Sequence, residues 1–189
     1  MMITSRRWFI WAALALSLTA GLSCDGTPSG PSIEQVVRAH DEVNSSALTL
    51  VRDQIPIPPP DLDVSAVIGP AGGIIKVLGH KLVIPKDAVT LPTLFTMQVL
   101  TTGFIEVELT ATRTDLLGQV IDVGALGFNK PVALRLTYKR SPDTLDPTKL
   151  VIVHVDGTTL TALPSKVNTD QKTVSAKLRH FSKYAMASN

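Results

Sequence analysis

The feature that most constrains this chain is a period-two alternation of apolar and polar residues that begins at Val64 and runs nearly to the end. Ile105, Val107 and Leu109 share one parity against Glu106, Glu108 and Thr110. Phe95, Met97 and Val99 alternate with Thr96 and Gln98, and Val132, Leu134, Leu136 and Tyr138 with Ala133, Arg135, Thr137 and Lys139. Val174, Ala176 and Leu178 oppose Ser175, Lys177 and Arg179. A residue spacing of two puts each set on one face of a strand, so these segments predict half-buried β-strands. Around 150–155 both parities are apolar, as in a central strand covered on two sides. Gly69-Pro70, Gly72-Gly73, Gly79-His80, Pro85-Lys86-Asp87, Ser141-Pro142 and Asp156-Gly157 punctuate the runs, and Asp156-Gly157 signals a two-residue hairpin. No helical period appears after residue 63. The expectation is an all-β fold, an antiparallel β-sandwich of about 9–11 short strands over residues 64–189.

The first 63 residues have a different character. Arg6 and Arg7 precede an apolar run from Trp8 to Leu18, too short for a typical membrane-spanning helix, and then small residues up to Cys24. Residues 1–23 therefore predict an export signal, and residues 24–63 a tether. Within the tether, Asp25 to Ser32 is small, polar and rich in proline and glycine. Ile33, Val36, Val37, His40 and Val43 then follow helical spacing behind Ser32 as a cap. The run Ile55-Pro56-Ile57-Pro58-Pro59-Pro60 enforces extended backbone, either as a plain stalk or as a segment for a proline-recognising partner.

The stretch ending Gly21-Leu22-Ser23-Cys24 resembles a bacterial lipoprotein signal. That resemblance implies cleavage before Cys24, lipidation of its thiol, and anchoring of an exported protein in the cell envelope, on the inner or the outer membrane. An ordinary secretory signal with an incidental cysteine is the alternative. Two or three acyl chains at about 0.8 kcal/mol per buried methylene hold far more firmly than one. Asp25, directly after the cysteine, resembles the inner-membrane retention signal of enterobacteria. Ser5-Arg6-Arg7-Trp8-Phe9-Ile10 resembles a twin-arginine export pattern, although two charges before an apolar core also suit the general route.

Three blocks carry a second resemblance. Ile68 to Ile75 is followed by Leu82-Val83-Ile84-Pro85-Lys86-Asp87-Ala88-Val89. Phe128-Asn129-Lys130-Pro131-Val132 comes next, and the chain closes with Thr173 to Ala185. In order and spacing these are similar to the ZU-five domain, a β-sandwich named for zona-occludens and netrin-receptor proteins. Pro85 with Ala88 suits a strand ending in one helical turn. The resemblance implies a non-catalytic binding or scaffolding module, not an enzyme, with an envelope protein or wall component as partner. One subset of the family cuts itself at a His-Phe-Ser sequence, and His180-Phe181-Ser182 matches it. There His180 would act as base while the Ser182 hydroxyl attacks the Phe181 carbonyl. Unbroken, the stretch from Val174 to Met186 would make a very long strand with Phe181 on its polar side. A kink or bulge at 180–182 would return Phe181 to the core, and the tripeptide would then be a structural plug.

Composition narrows the function classes. Arg6 and Arg7 account for the net charge of +2, and beyond them sixteen bases face sixteen acids. Neutrality of the exported part argues against a nucleic-acid-binding face. Beyond residue 23, six aromatics, Phe95, Phe104, Phe128, Tyr138, Phe181 and Tyr184, are few for a sugar-stacking groove. With Cys24 the sole cysteine, no intramolecular disulfide can form. His40, His80, His154 and His180 lie far apart with no metal-ligand spacing, so neither a metal nor another cofactor is expected. The acidic pairs Asp61/Asp63 and Asp143/Asp146 lack the graded ligand series of a calcium loop and read as solvated turns.

Overall fold

A computed structural model of the protein describes residues 48–55 and 62–189. The expected signal segment, Cys24, the helix expected after Ser32 and the proline run at 56–60 lie outside the described residues. The strands are β1 (Thr49–Leu50), β2 (Asp63–Ile68), β3 (Gly73–Val77), β4 (His80–Ile84), β5 (Thr93–Val99), β6 (Glu106–Thr114) and β7 (Val120–Asp122). They continue with β8 (Val132–Thr137), β9 (Leu150–Asp156), β10 (Thr159–Leu163), β11 (Ser165–Asn168), β12 (Thr173–Leu178) and β13 (Lys183–Ser188). Thirteen strands exceed the expected count because β1 and β7 are only two and three residues long, below the length at which alternation shows.

Two antiparallel sheets face each other. One has the order β11-β12-β8-β4-β3. The other runs β10-β9-β13-β6-β5-β2, with β1 beside β13 and β7 beside β6. The fold is an all-β sandwich, and its core is the parity set that the alternation selects. Phe95, Met97, Ile105, Val107, Leu134, Leu136 and Val174 are fully enclosed. In β9, Leu150 and Ile152 enter that core, while Val151, Val153 and Val155 join Leu48, Leu50, Leu160, Ala185 and Ala187 in a smaller cluster on the sheet's other side. Both faces of β9 are thus apolar over Leu150–Val153, which accounts for the hydrophobic run there.

Local chemistry explains the turns. Gly72 has φ +77°, and a Cβ there would fall 2.6 Å from the Ile84 carbonyl oxygen. The β9–β10 hairpin loop is Gly157-Thr158, one residue later than Asp156-Gly157, with Gly157 at φ 56°. After β4 the chain makes a turn and not a helical one. The Ala88 N–H donates to the Pro85 carbonyl at 3.2 Å, and Asp87 sits at φ 64°, which ends any right-handed helix. A single four-residue helix, α1 (Val123–Leu126), does form after residue 63. The Asp122 carboxylate caps it by accepting from the Ala125 N–H at 3.0 Å.

Residues 48–55, which composition assigns to the tether, belong to the sandwich. Thr49 and Leu50 pair with Ser188 and Ala187, Arg52 bridges to Phe104, and Val51 is in the core. Asp53 is 8% exposed and takes a two-pronged ion pair from Arg140. Nε meets Oδ1 at 2.8 Å and Nη2 meets Oδ2 at 2.6 Å. Three apolar residues before a proline run are too few to register as a strand. Asp53→Ala should therefore destabilise the domain by on the order of 3 kcal/mol, because Arg140 loses its buried partner. Urea unfolding of the variant against the parent checks this.

Candidate functional site

His180, Phe181 and Ser182 lie where the chain crosses from β12 in one sheet to β13 in the other. The long strand is therefore split between two sheets, which is a larger break than a bulge. Phe181 is buried, with its ring edge-on to Phe128 at 4.6 Å and to Phe95 at 5.8 Å between centroids. Backbone bonds clamp the crossing. Phe128 N–H donates to Arg179 O, Phe181 N–H to Gly124 O at 2.9 Å, and Leu109 N–H to Ser182 O at 3.0 Å. A Cβ on Gly124 would meet the Phe181 Cβ at 3.0 Å, so α1 needs glycine there to approach.

Exposed His180 is turned toward other partners than Ser182. Its Nδ1 lies 3.4 Å from the Tyr184 hydroxyl, and its ring 5.5 Å from that of His154. Tyr184 is enclosed in the core, where burial pushes its hydroxyl up to about 12, and it donates to the His180 carbonyl at 2.9 Å. Among the described residues no hydrogen bond joins the His180 ring to the Ser182 hydroxyl. Asp146 caps the turn Pro147–Lys149 through Thr148, and its bonds to the Thr148 side chain and backbone lower its pKa. Asp143 pairs with Lys172 at 3.8 Å.

Sheet register brings together a set of residues that sequence spacing does not show. Lys76 stands opposite Lys81, Lys81 opposite Arg135, Arg135 opposite Ser175, and Ser175 opposite Lys166. Their chain neighbours Ile75, Val77, Leu82, Leu134, Leu136, Val174 and Ala176 fill the core, so the row points outward. Lys177 lies on the same face, opposite Ala133. Strands of this sheet carry these five cations and no acid, whereas strands of the other sheet carry Asp63, Glu106, Glu108, Asp122 and Asp156 against Arg113 and Lys183. A chain whose charges balance beyond Arg7 therefore carries them unevenly between its two sheets. The ion pairs among the described residues, Lys130–Asp87, Arg140–Asp53 and Lys172–Asp143, use none of the five. Arg135 Nη1 donates to the Gln171 side-chain oxygen at 3.3 Å. Lys76, Lys81, Arg135, Lys139 and Arg140 line one cleft of about 650 Å³, with Asp170 as its acid.

A buried histidine supports this cleft. Leu78 and Gly79, at φ 48° and 85°, form the two-residue β3–β4 loop. Leucine strongly disfavours that conformation, and the Leu78 carbonyl is gripped by Arg140 Nη1 at 2.6 Å. His80 is fully enclosed. Thr137 N–H donates to its Nδ1 at 3.1 Å, which assigns the ring proton of the neutral form to Nε2, 3.1 Å from Arg140 Nη2. Burial, and then the Arg140 charge, lower His80 to about 4, with Asp53 opposing. In the sequence His80 is only part of a turn signal, since its partners lie about sixty residues away.

Compared with known protein families and with curated proteins, the chain matches none.

Two outcomes follow. Phe181→Ala should cost about 3–5 kcal/mol, as for a large core truncation, while Ser182→Ala should change stability little. Chemical denaturation of both variants measures this. For His80, the unfolded ring binds a proton below about 6.5 and the folded ring only below about 4. Its contribution is therefore complete above pH 6.5 and is lost as pH falls toward 4, roughly 3 kcal/mol in all. His80→Gln should flatten that part of the stability–pH profile.

Proposed function

We propose that the protein is a lipid-anchored cell-envelope protein, held by acyl chains on Cys24, whose β-sandwich acts as a non-catalytic binding module. The observation that carries the binding role is the outward row Lys76, Lys81, Arg135 and Lys166, a set of like charges with no ion-pair partner among the described residues. Cross-strand neighbours of one sign oppose folding, so their concentration on one sheet argues for a partner of the other sign. The lone cysteine, its place after an apolar run and small residues, and the ZU-five-like blocks support the anchor and the scaffolding role. Asp25 favours the periplasmic face of the inner membrane.

A second reading, self-cleavage between Phe181 and Ser182, draws on the tripeptide and its place at a sheet crossing. Against it stand the His180 contacts with Tyr184 and His154, and the role of Phe181 in the aromatic cluster.

Replacing Cys24 with Ala should release the protein from membranes or stall its maturation, and unchanged membrane partition would refute the anchor. Intact mass of the mature protein should include Ser182–Asn189. A chain ending at Phe181, restored to full length by Ser182→Ala, would establish the second reading.

A further inference from the structure

We infer that the outward face of the five-stranded sheet binds a linear phosphate-bearing polyanion, laid along the row Lys76, Lys81, Arg135 and Lys166. The inference rests on reading the sandwich as a binding module and names its ligand class. Residues directly opposite in antiparallel strands have Cα atoms about 4.5–5.5 Å apart. Lys76, Lys81 and Arg135 thus place three positive side chains on consecutive strands with no acid between them. Ser175 takes the next strand and Lys166 the last. Four interstrand steps of about 4.8 Å make the row roughly 19 Å long. Three cations one strand apart, and a fourth two strands beyond them on the same line, match an extended chain carrying several anions better than one compact anion.

Chemistry and shape narrow the ligand. Arg135 offers a planar fork suited to phosphate oxygens, and lysines supply point charges beside it. Outward positions on these strands, such as Ile74, Val83, Ala133, Ser175 and Asn168, include no aromatic residue. Stacked bases would find no platform, so the phosphates and not the bases are recognised. Lys81 and Arg135 are half-buried in the cleft, whereas Lys76 and Lys166 are exposed. A flexible chain can follow that relief, and a flat bilayer would meet chiefly the exposed lysines. Opposite charge on the other sheet orients the molecule so that this face meets an anion first.

The test uses the full mature chain reconstituted in phosphatidylcholine vesicles and titrated with short-chain inorganic polyphosphate. Binding should weaken linearly in log affinity against log salt, with a slope of about −3 for four neutralised phosphates. The double variant Lys81→Gln/Arg135→Gln should bind about tenfold or more weakly and lower the salt slope by about 1.5. Its unliganded melting temperature at low salt should equal or exceed the parent's, because like charges have been removed. The off-face pair Lys86→Gln/Lys130→Gln should leave affinity and slope unchanged. Equal binding by the two double variants would overturn the inference, as would equal affinity for polyglutamate. Loss of polyphosphate binding when phosphatidylglycerol is added to the vesicles would assign the face to the bilayer and also overturn it. Absence of polyphosphate binding by protein still held through Cys24 would overturn the ligand and leave the anchor standing.

Discussion

Phe181 occupies the point where the chain leaves one sheet and enters the other, and much of the sandwich hangs on that contact. Its ring closes an aromatic group with Phe95 and Phe128, and its N–H is held by the carbonyl of Gly124. With the ring inside, β12 is committed to the five-stranded sheet and β13 to the middle of the eight-stranded one, between β9 and β6. Because strand side chains alternate, a slip of one residue on either side of the crossing would turn core residues outward. That register also sends Lys177 to the surface and Val174, Ala176 and Leu178 to the interior.

The five-stranded sheet carries a conflict between packing and electrostatics. Burial of Ile75, Val77, Leu82, Leu134 and Leu136 sets the register, and the same register aligns Lys76, Lys81 and Arg135. Apolar burial of that extent outweighs repulsion between solvated side chains, so the sheet forms and the row persists. Arg140 spans the edge of this sheet. It holds Asp53 and the Leu78 carbonyl and lies 3.1 Å from His80 Nε2, joining the chain's described N-terminal segment to the β3–β4 loop. A neutral histidine beside a guanidinium keeps the charge count low where solvent is excluded, in contrast with the open row above it.

Legibility in the sequence follows how local each determinant is. Strands β5, β6, β8 and β12 are plain from alternation, because one residue's parity predicts the next, and their apolar parity is the core face; Glu106 in β6 and Thr137 in β8, which alternation places on the polar faces, are buried as well. The turn at Gly72 is equally local. By contrast, β1 is two residues long, and its pairing with β13 joins positions nearly 140 apart. Phe181 announces a break by its parity, but the switch between sheets is a property of both sheets together. The row of cations is hidden most thoroughly, since Lys76, Arg135 and Lys166 become neighbours only through register. The balance of sixteen bases and sixteen acids beyond Arg7 argues against a basic face, yet charge is segregated between the two sheets, and composition averages that away. Of the residues singled out for chemistry, His180 and Ser182 are two apart in sequence, yet the His180 ring faces Tyr184 while the Ser182 carbonyl accepts from Leu109, and Cys24 lies outside the described residues.

The central claim is that the outward face of the five-stranded sheet is the working surface. Backbone amide chemical shifts, followed while polyphosphate is added, read that surface residue by residue. Shifts concentrated on β3, β4, β8, β11 and β12, largest near Lys81 and Arg135, are the predicted result. Shifts gathered around His154, His180 and Tyr184, or spread over the eight-stranded sheet, would contradict it.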